Sequence, residues 1–295
     1  MSSALAFIIT FKRMLTATII IVIVLFLSAC TNLIFHPDKI RYTTPDQFSL
    51  NYEDVFIQTA GYQIHGWLLK SNSPAKGTVY FLHGNAQNIS AHIYSVYWLP
   101  EQGYDVFMID YRGYGLSTGE PTIPDVIDDI NTGFLWLTER VKNQKKPIFL
   151  LGQSLGASLG IYYAGGNVEA KNQLAGVILD AGFSNFRTIA REKLSQFWLT
   201  WPIQYPLSML FSDKYNPEES IQHISPVPLL IMHSDEDKIV SSSHGKLLFK
   251  LAGSPKFYIQ TEGNHISTFR YKAYRNEMLN FMERFSQDKQ IYVNQ

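Results

Sequence analysis

Cysteine is nearly absent from this sequence: one residue, Cys30, occurs among 295. A single cysteine cannot form a disulfide within the chain, so a disulfide framework is excluded. Charge of one sign is not in excess, because 25 basic residues balance 25 acidic ones and no basic tract stands out. We therefore expect no nucleic-acid partner. Repeats, low-complexity blocks and long linkers are also missing, which favours one large domain with a substantial core.

The one cysteine follows an apolar run near the N-terminus. Residues 16–29 read TATIIIVIVLFLSA, with Lys12 and Arg13 before them and Cys30 directly after. Positive charge before an apolar run that ends in small residues is the layout of a secretory signal. The last residues, LSAC, resemble the lipobox of bacterial lipoproteins, in which the peptidase cuts before a cysteine that carries lipid. We therefore predict a lipoprotein signal peptide over 1–29 and lipidation at Cys30.

An uncleaved signal anchor is the alternative, because the apolar run is nearly long enough to span a bilayer. In both cases the N-terminus attaches the protein to a membrane, and a polar tether over 30–47 connects this attachment to the folded domain. The lipoprotein interpretation further implies a bacterial protein that faces the periplasm or the cell exterior.

Short apolar runs alternate with amphipathic stretches from residue 48 to residue 288. Runs such as GTVYFL, DVFMI, IFLL and VPLLIM have the length and the continuous apolar character of buried strands. The stretches between them have helical spacing, for example AHIYSVYWLPEQG, which ends at Gly103. This alternation predicts an α/β fold, a mostly parallel sheet of about eight strands with helices on both faces. In such a sheet, ligands bind beyond the carboxyl ends of the strands.

A serine stands between two glycines at the end of one predicted strand. The stretch KPIFLLGQS is typical of a strand and LGASLGIYYA of a helix, which leaves room only for a very tight turn at Ser154. Gly152 and Gly156 would relieve the crowding in such a turn. This G-x-S-x-G pattern is typical of the nucleophile elbow, in which a strained turn exposes the serine hydroxyl.

Four other strand ends carry loops with polar motifs. HGNA follows TVYFL, DYRGYG follows DVFMI, HSDEDKIV follows VPLLIM, and TEGNH follows KFYIQ. With GQSLG, these motifs place serine, acid and histidine in that order. In this order and at this spacing the motifs resemble the α/β-hydrolase family, from about residue 52 to residue 285. The resemblance is closest to membrane-associated serine hydrolases that include palmitoyl-protein thioesterases and serine aminopeptidase-like esterases.

The resemblance implies roles for individual residues. Ser154 would be the nucleophile, and His265, after the last predicted strand, would be its general base. The backbone N–H groups of Asn85 and Leu155 would form the oxyanion hole, because Asn85 belongs to the His-Gly loop and Leu155 follows the nucleophile.

The acid that orients the histidine lies in the SDEDKIV segment. Several carboxylates are within reach there, and the family spacing from Ser234 through the acid to Val240 selects Asp237. Asp235 is the alternative. The acid would hold the tautomer of the imidazole and stabilise the imidazolium without taking its proton.

The segment between the strand that ends at Asp180 and Pro226 is too long for an ordinary loop. It contains eight aromatic residues, and we interpret residues 183–225 as a small helical cap over the site. Its aromatic side chains either pack the cap onto the domain or face a pocket that accepts an acyl or other apolar group.

These features predict a membrane-attached serine hydrolase that cleaves carboxylic esters or thioesters through an acyl-enzyme intermediate. The expected substrate is a small molecule or an acyl ester. No cluster has metal-ligand spacing, and the mechanism requires no cofactor. Amide cleavage by an aminopeptidase is the alternative among enzymes. A non-catalytic binding protein of the same fold is the alternative outside them.

We predict that Cys30→Ser blocks processing of the protein or releases it from membranes, because the chain has no other thiol that could carry lipid. Fractionation of cells that express the wild type or the variant, followed by immunoblotting, measures both size and location. Unchanged size together with membrane retention would instead indicate the uncleaved anchor.

Overall fold

The computed structural model describes residues 13–14, 34–59, 61–196 and 198–292. Cys30 and nearly all of the predicted signal segment lie outside these ranges. The signal peptide, the lipidation and the membrane attachment therefore stay predictions. Within the described ranges, no helix is both long enough and apolar enough to cross a membrane.

An eight-stranded sheet organises the described part of the chain. Its strands are β1 Tyr52–Gln58, β2 Gln63–Leu69, β3 Gly77–Leu82, β4 Tyr104–Ile109, β5 Ile148–Gln153, β6 Leu174–Asp180, β7 Leu229–Ser234 and β8 Lys256–Thr261. Their spatial order is β8-β7-β6-β5-β3-β4-β2-β1. Neighbours from β8 to β4 pair in parallel, whereas β2 is antiparallel to both β4 and β1. The prediction of a mostly parallel sheet of about eight strands is confirmed.

Helices cover both faces of this sheet. They are α1 Ile89–His92, α2 Ile123–Val141, α3 Leu155–Gly166, α4 Val168–Gln173, α5 Phe186–Ser195, α6 Gln204–Ser208, α7 Pro217–Ser220, α8 Ser242–Leu251 and α9 Lys272–Tyr292. Successive side chains of β3 point to opposite faces: Tyr80 packs in the cluster that contains Phe134 of α2, and Phe81 in the cluster that contains Met278 of α9. Burial on both sides explains why the central strands are continuously apolar.

The stretch that the sequence predicts as one helix up to Gly103 is broken into shorter pieces. α1 is followed by a 3₁₀ turn over Ile93–Ser95, and a second 3₁₀ turn covers Pro100–Gln102. Pro100 has no N–H to donate to a preceding turn, so a continuous helix through it would lose a hydrogen bond. Gly103 does end the segment, with a left-handed φ of 91°.

The described part of the predicted tether, residues 34–47, lies against the domain. Phe35 is buried in the core, and His36–Pro37 forms a short parallel ladder with Ala86–Gln87. Burial of a phenylalanine side chain contributes about 2 kcal/mol to folding. The folded body therefore includes this segment, and it extends N-terminally beyond the expected boundary at residue 48.

The predicted cap is helical. α5, α6 and α7 lie within residues 183–225, together with 3₁₀ turns over Trp201–Ile203, Asp213–Tyr215 and Ile221–Ile224. Some of its apolar side chains, including Phe186 and Phe211, belong to the main core. These side chains hold the cap on the domain at the carboxyl ends of the strands.

A buried carboxylate joins two loops at the carboxyl ends of the central strands. Asp180, the last residue of β6, accepts hydrogen bonds from Gln153 Nε2 at 2.7 Å and from Thr268 Oγ1 at 2.6 Å. Gln153 precedes Ser154, and Thr268 lies three residues after His265. Burial raises the pKa of Asp180 to about 6, although both hydrogen bonds favour the charged form.

The raised pKa of Asp180 predicts that this carboxyl makes folding less favourable as pH rises from about 4 to about 6. Over this interval the unfolded chain, with the ordinary pKa of 3.8, loses the proton while the folded chain retains it. The shift corresponds to about 3 kcal/mol. The side chain of Asp180→Asn cannot ionise. The free energy of unfolding of this variant, minus that of the wild type, should therefore increase by about 2–3 kcal/mol between pH 4 and pH 6.5. Urea unfolding of both proteins at the two pH values measures this gain, and a difference independent of pH would contradict the prediction.

Candidate active site

Ser154 occupies the turn between β5 and α3 with a strained backbone. Its φ of 53° and ψ of −117° lie outside the regions that residues other than glycine normally adopt. Its N–H donates to the carbonyl oxygen of Asp180 at 2.9 Å, which fixes the turn to the neighbouring strand. The turn thus presents the serine at the carboxyl end of the sheet.

Gly152 and Gly156 make room for this turn. A Cβ on Gly152 would lie 2.5 Å from the carbonyl oxygen of Gly156, and a Cβ on Gly156 would lie 2.2 Å from that of Leu82. Favourable contacts between such atoms require about 3.5 Å. Both neighbours are backbone atoms, so a larger residue at either position would displace the chain. The crowding inferred from the sequence arises where α3 approaches the end of β3.

The side chains of Ser154, His265 and Asp237 form a hydrogen-bonded row. His265 Nε2 lies 2.8 Å from Ser154 Oγ, and His265 Nδ1 lies 2.7 Å from Asp237 Oδ2. Ser154 and His265 are 111 residues apart in the chain, and they meet because both follow parallel strands of one sheet. With Nδ1–H donating to the carboxylate, Nε2 is free to accept from the serine hydroxyl.

The loop after β7 keeps Asp237 in its charged form. The N–H groups of Ile239 and Val240 donate to Asp237 Oδ1 at 2.8 and 2.9 Å. Burial opposes the charge of this carboxylate. The hydrogen bond from His265, its electrostatic attraction and the two N–H groups outweigh burial, and they lower the pKa of Asp237.

The two neighbouring acidic side chains are engaged elsewhere. Asp235, the alternative acid from the sequence, is exposed and pairs with Lys246 Nζ at 2.9 Å. Glu236 accepts a hydrogen bond from the N–H of Gly263 at 2.8 Å. Of the three carboxylates, the structure brings Asp237 to the histidine.

The peptide between Gly84 and Asn85 has a fixed orientation. His83 Nδ1 donates to the carbonyl oxygen of Gly84 at 2.7 Å. Because the peptide is planar and trans, the N–H of Asn85 points the opposite way. Burial lowers the pKa of His83, which favours the neutral ring that makes this bond.

Asn85 and Leu155 both line the pocket that contains Ser154. Leu155 is the first residue of α3, where an N–H has no acceptor within the helix. In the part of the chain that the structure describes, no group accepts a hydrogen bond from the N–H of either residue. Two N–H groups are therefore available beside the serine, at the positions that the sequence predicts.

The pocket in front of Ser154 encloses about 560 Å³ of space and is partly open to solvent. Its lining is mainly apolar and consists of Ile34, Asn85, Ser154, Leu155, Phe183, Phe186, Ile189, Ala190, Lys193, Phe211, Ile239 and Val240. Lys193 is the one charged side chain among these described residues, and none of them carries a carboxylate. Burial lowers the pKa of Lys193, while the negative charges of Asp237 and Glu192 oppose this effect.

Two other charged residues at strand ends hold loops. Asp110 Oδ1 accepts from the N–H of Ile89 at 2.8 Å. Arg112 donates to both carboxylate oxygens of Asp129, through Nε at 3.0 and 3.1 Å and through Nη2 at 2.7 Å. Neither Asp110 nor Arg112 lines the pocket.

Sequence motifs do not reveal three of the contacts around the serine. Asp180 ends a predicted strand, but its partners come from other parts of the chain. His83 belongs to the HGN motif, yet its bond to the peptide depends on the backbone of the loop. Lys193 lies within a helix that carries no motif.

Among the described residues, no group of His, Cys, Asp and Glu side chains has the arrangement of a metal site.

Residues 73–218 match a family described as serine aminopeptidase, S33. This match begins before β3 and ends in α7, so it contains Ser154 and most of the cap. Asp237 and His265 lie beyond it. The structure itself connects those two residues to the matched region, through the hydrogen bonds described above.

Three similar proteins extend the comparison. The uncharacterised protein YfhR of Escherichia coli O157:H7 is 33% identical over 260 residues, which cover 85% of this chain and 86% of YfhR. Lysophosphatidylserine lipase ABHD12 of Danio rerio is 28% identical over 201 residues, which cover 64% of this chain and 51% of that protein. The solved structure of the Pyrococcus furiosus esterase Pf2001 gives a TM-score of 0.71 at 23% identity, and covers 86% of this chain and 98% of the esterase.

The likeness to the solved esterase shows the fold, since its sequence identity is too low to show more. The identity to YfhR extends over most of both chains, and together with the S33 match it shows the family. The protein is therefore a hydrolase, and the chain belongs to the α/β-hydrolase family of serine hydrolases.

Proposed function

We propose that the protein hydrolyses carboxylic esters or thioesters through an acyl-enzyme intermediate on Ser154. The observation that carries this proposal is the hydrogen-bonded row from Asp237 through His265 to Ser154, beside an apolar pocket. A serine hydroxyl is a weak nucleophile at neutral pH and requires a base within hydrogen-bond reach. His265 Nε2, at 2.8 Å, meets this requirement.

The proposed reaction uses the three side chains in sequence. Ser154 Oγ attacks the carbonyl carbon of the substrate while its proton passes to His265 Nε2. The carboxylate of Asp237 stabilises the imidazolium, and its lowered pKa keeps it ionised at neutral pH. The imidazolium then protonates the leaving alcohol or thiol. A water molecule attacks the acyl-enzyme with His265 again as base, which releases the acid and restores Ser154.

The N–H groups of Asn85 and Leu155 would stabilise the negative charge that develops on the carbonyl oxygen. Backbone donors suit this role because the fold fixes them before the substrate binds. Loss of one such donor typically lowers kcat about 10²–10³-fold. In this chain the peptide that carries the N–H of Asn85 is held by His83, so the donor requires no rearrangement.

Amide cleavage from a free amino terminus is the second candidate, since the matching family is described as a serine aminopeptidase. An aminopeptidase binds the ammonium group of its substrate, for which a carboxylate or a group of carbonyl oxygens is suited. The described lining of the pocket has no carboxylate, and its one charged side chain is the cation Lys193. A cation there would repel an ammonium group, which favours the ester over the amide.

An acyl substrate fits the lining of the pocket. Phe183, Phe186, Ile189 and Phe211 offer apolar surface for a hydrocarbon chain. The name of one relative, ABHD12, agrees with this class, because that protein is called a lysophosphatidylserine lipase. A binding protein without catalysis is the weaker hypothesis, since binding alone would not require the hydrogen-bonded row of Ser154, His265 and Asp237.

We also propose that the N-terminus keeps this activity at a membrane. The support is the sequence of residues 16–29 and the lipobox-like end at Cys30. A bacterial lipoprotein on the periplasmic or outer side of the membrane is the form that this sequence favours.

We predict that Ser154→Ala and Asp237→Asn each lower kcat on p-nitrophenyl butyrate by about 10⁴-fold, because the first removes the nucleophile and the second the group that orients His265. Initial rates of the purified variants measure this loss. A fluorophosphonate probe should label the wild type and fail to label Ser154→Ala, since the probe reacts with an activated serine.

Asp235→Asn is the matched control for Asp237→Asn. Its carboxylate pairs with Lys246 at the surface, so its loss should change kcat by less than about twofold. A folded wild-type protein that the probe does not label would contradict the enzyme proposal. Faster cleavage of aminoacyl anilides than of esters would replace the ester by the amide as substrate class.

A further inference from the structure

The cap presents an apolar surface to solvent. Seven described side chains within residues 198–210, which we call the cap face, are large, apolar and exposed: Trp198, Leu199, Trp201, Ile203, Tyr205, Met209 and Leu210. Trp198 is 83% exposed and Met209 67%. The segment contains no Asp, Glu, Lys or Arg. Contiguous exposed apolar surface of this kind marks an interaction site.

The cap face borders the pocket of Ser154. The helix that precedes it, α5, supplies Ile189, Ala190 and Lys193 to the pocket lining, and Phe211, directly after the cap face, lines the pocket as well. α6, within the cap face, packs on α5, where the Arg191 guanidinium stacks over the Tyr205 ring at 4.6 Å. The exposed apolar surface therefore lies at the rim of the pocket.

The N-terminal segment reaches the same pocket. Ile34 contributes to its lining, and only residues 31–33 separate Ile34 from Cys30. Four residue steps of fully extended chain span at most about 14 Å. The apolar run over 16–29 ends just before Cys30. A lipid on Cys30, or an anchor that ends there, would therefore hold one side of the pocket close to the membrane.

We propose that the cap face docks on a phospholipid bilayer, with its apolar side chains in the interfacial region and the pocket of Ser154 facing the lipid. The short connection from Ile34 to the N-terminal segment, for which membrane attachment is proposed above, selects the bilayer as the occupant, because such attachment would place the rim of the pocket next to that surface. Tryptophan and tyrosine prefer the membrane interface, where their rings meet both hydrocarbon and water.

Insertion of apolar side chains, and not charge, drives this docking. The cap face carries no charged residue, and the chain as a whole has equal numbers of acidic and basic residues. Docking on a zwitterionic phosphatidylcholine bilayer should therefore persist at high salt, unlike the binding of a polybasic surface to anionic lipid.

Docking would give the hydrolase a substrate class, acyl esters that reside in a bilayer, and this part rests on the proposed function. A pocket that faces lipid allows an acyl chain to pass from the membrane to Ser154 with little exposure to water. The apolar lining, which includes Ile34 and Phe211, fits such a chain.

Tryptophan fluorescence of the full-length protein in phosphatidylcholine vesicles tests the docking. Of the five tryptophans, Trp67 and Trp98 are buried, Trp136 is half-buried, and Trp198 and Trp201 are exposed. Phosphatidylcholine with brominated acyl chains should quench part of the emission. The double variant Trp198→Phe with Trp201→Phe keeps the surface apolar, and it should lose this quenchable emission.

A triple variant, Leu199→Gln with Met209→Gln and Leu210→Gln, keeps both exposed tryptophans and weakens the apolar surface. We expect it to lower the quenching at least about threefold, because buried apolar area sets the strength of interfacial binding. A control variant, Leu135→Gln with Val168→Gln, changes exposed apolar residues outside the cap. The control should be quenched like the wild type.

Two esters distinguish docking from catalysis. The triple variant should hydrolyse a long-chain ester embedded in the vesicles about tenfold more slowly than the wild type, and a water-soluble butyrate ester at the same rate. If the wild type hydrolyses neither ester, the proposed function fails. The quenching measurement would still test whether the cap face docks on the bilayer.

Equal quenching of the wild type and the triple variant, or no quenching of either, would overturn the proposal. Cross-linking of the vesicle-bound protein adds a further criterion. Suppose that bromolipid does not quench the wild type, and that the wild type forms a dimer that the triple substitution dissociates. The cap face would then bind a second copy of the chain, and docking on lipid would be overturned.

Discussion

The hydrogen bond between His265 Nε2 and Ser154 Oγ is the contact on which the site depends, and it joins residues 111 positions apart. It exists because a parallel sheet gathers the carboxyl ends of its strands at one edge, so that loops distant in sequence become neighbours. The serine reaches this edge through a strained turn, with φ at 53°. Gly152 and Gly156 permit the turn, because a Cβ at either position would meet backbone. The strained turn, its two glycines and the strand order are therefore all required to place Ser154 beside His265.

Two carboxylates at this edge of the sheet, Asp237 and Asp180, have different roles because their surroundings differ. Asp237 receives two N–H groups and His265, which lower its pKa and keep the charge that the histidine requires. Asp180 is buried, and no positively charged group of the described residues donates a hydrogen bond to it, so that burial raises its pKa. Its hydrogen bonds to Gln153 and Thr268 connect the turn of the serine to the loop of the histidine. The charge of Asp237 orients His265, whereas the carboxyl group of Asp180 holds two loops together.

The parts of the fold and site that could be predicted are those set by local rules. Backbone crowding around Ser154 is visible in the neighbouring glycines, and the strand and helix alternation follows from hydropathy. The parts that could not be predicted depend on partners distant in the chain. The two hydrogen bonds of Asp180 require the strand order and the position of Thr268. Phe35 belongs to a short segment that carries no motif, and its burial depends on a neighbouring loop. The residue spacing of the family favours Asp237 over Asp235, and in the structure Asp237 contacts His265 whereas Asp235 contacts Lys246.

A crystal structure of the protein inhibited by an alkyl phosphonate would show whether three side chains and two backbone N–H groups converge on one reacting centre. We expect phosphorus bonded to Ser154 Oγ and the alkyl group in the apolar pocket. The phosphoryl oxygen should lie about 2.7–3.1 Å from the N–H nitrogens of both Asn85 and Leu155, with His265 still bonded to Asp237. An adduct on another residue, or a phosphoryl oxygen directed away from both N–H groups, would contradict this convergence.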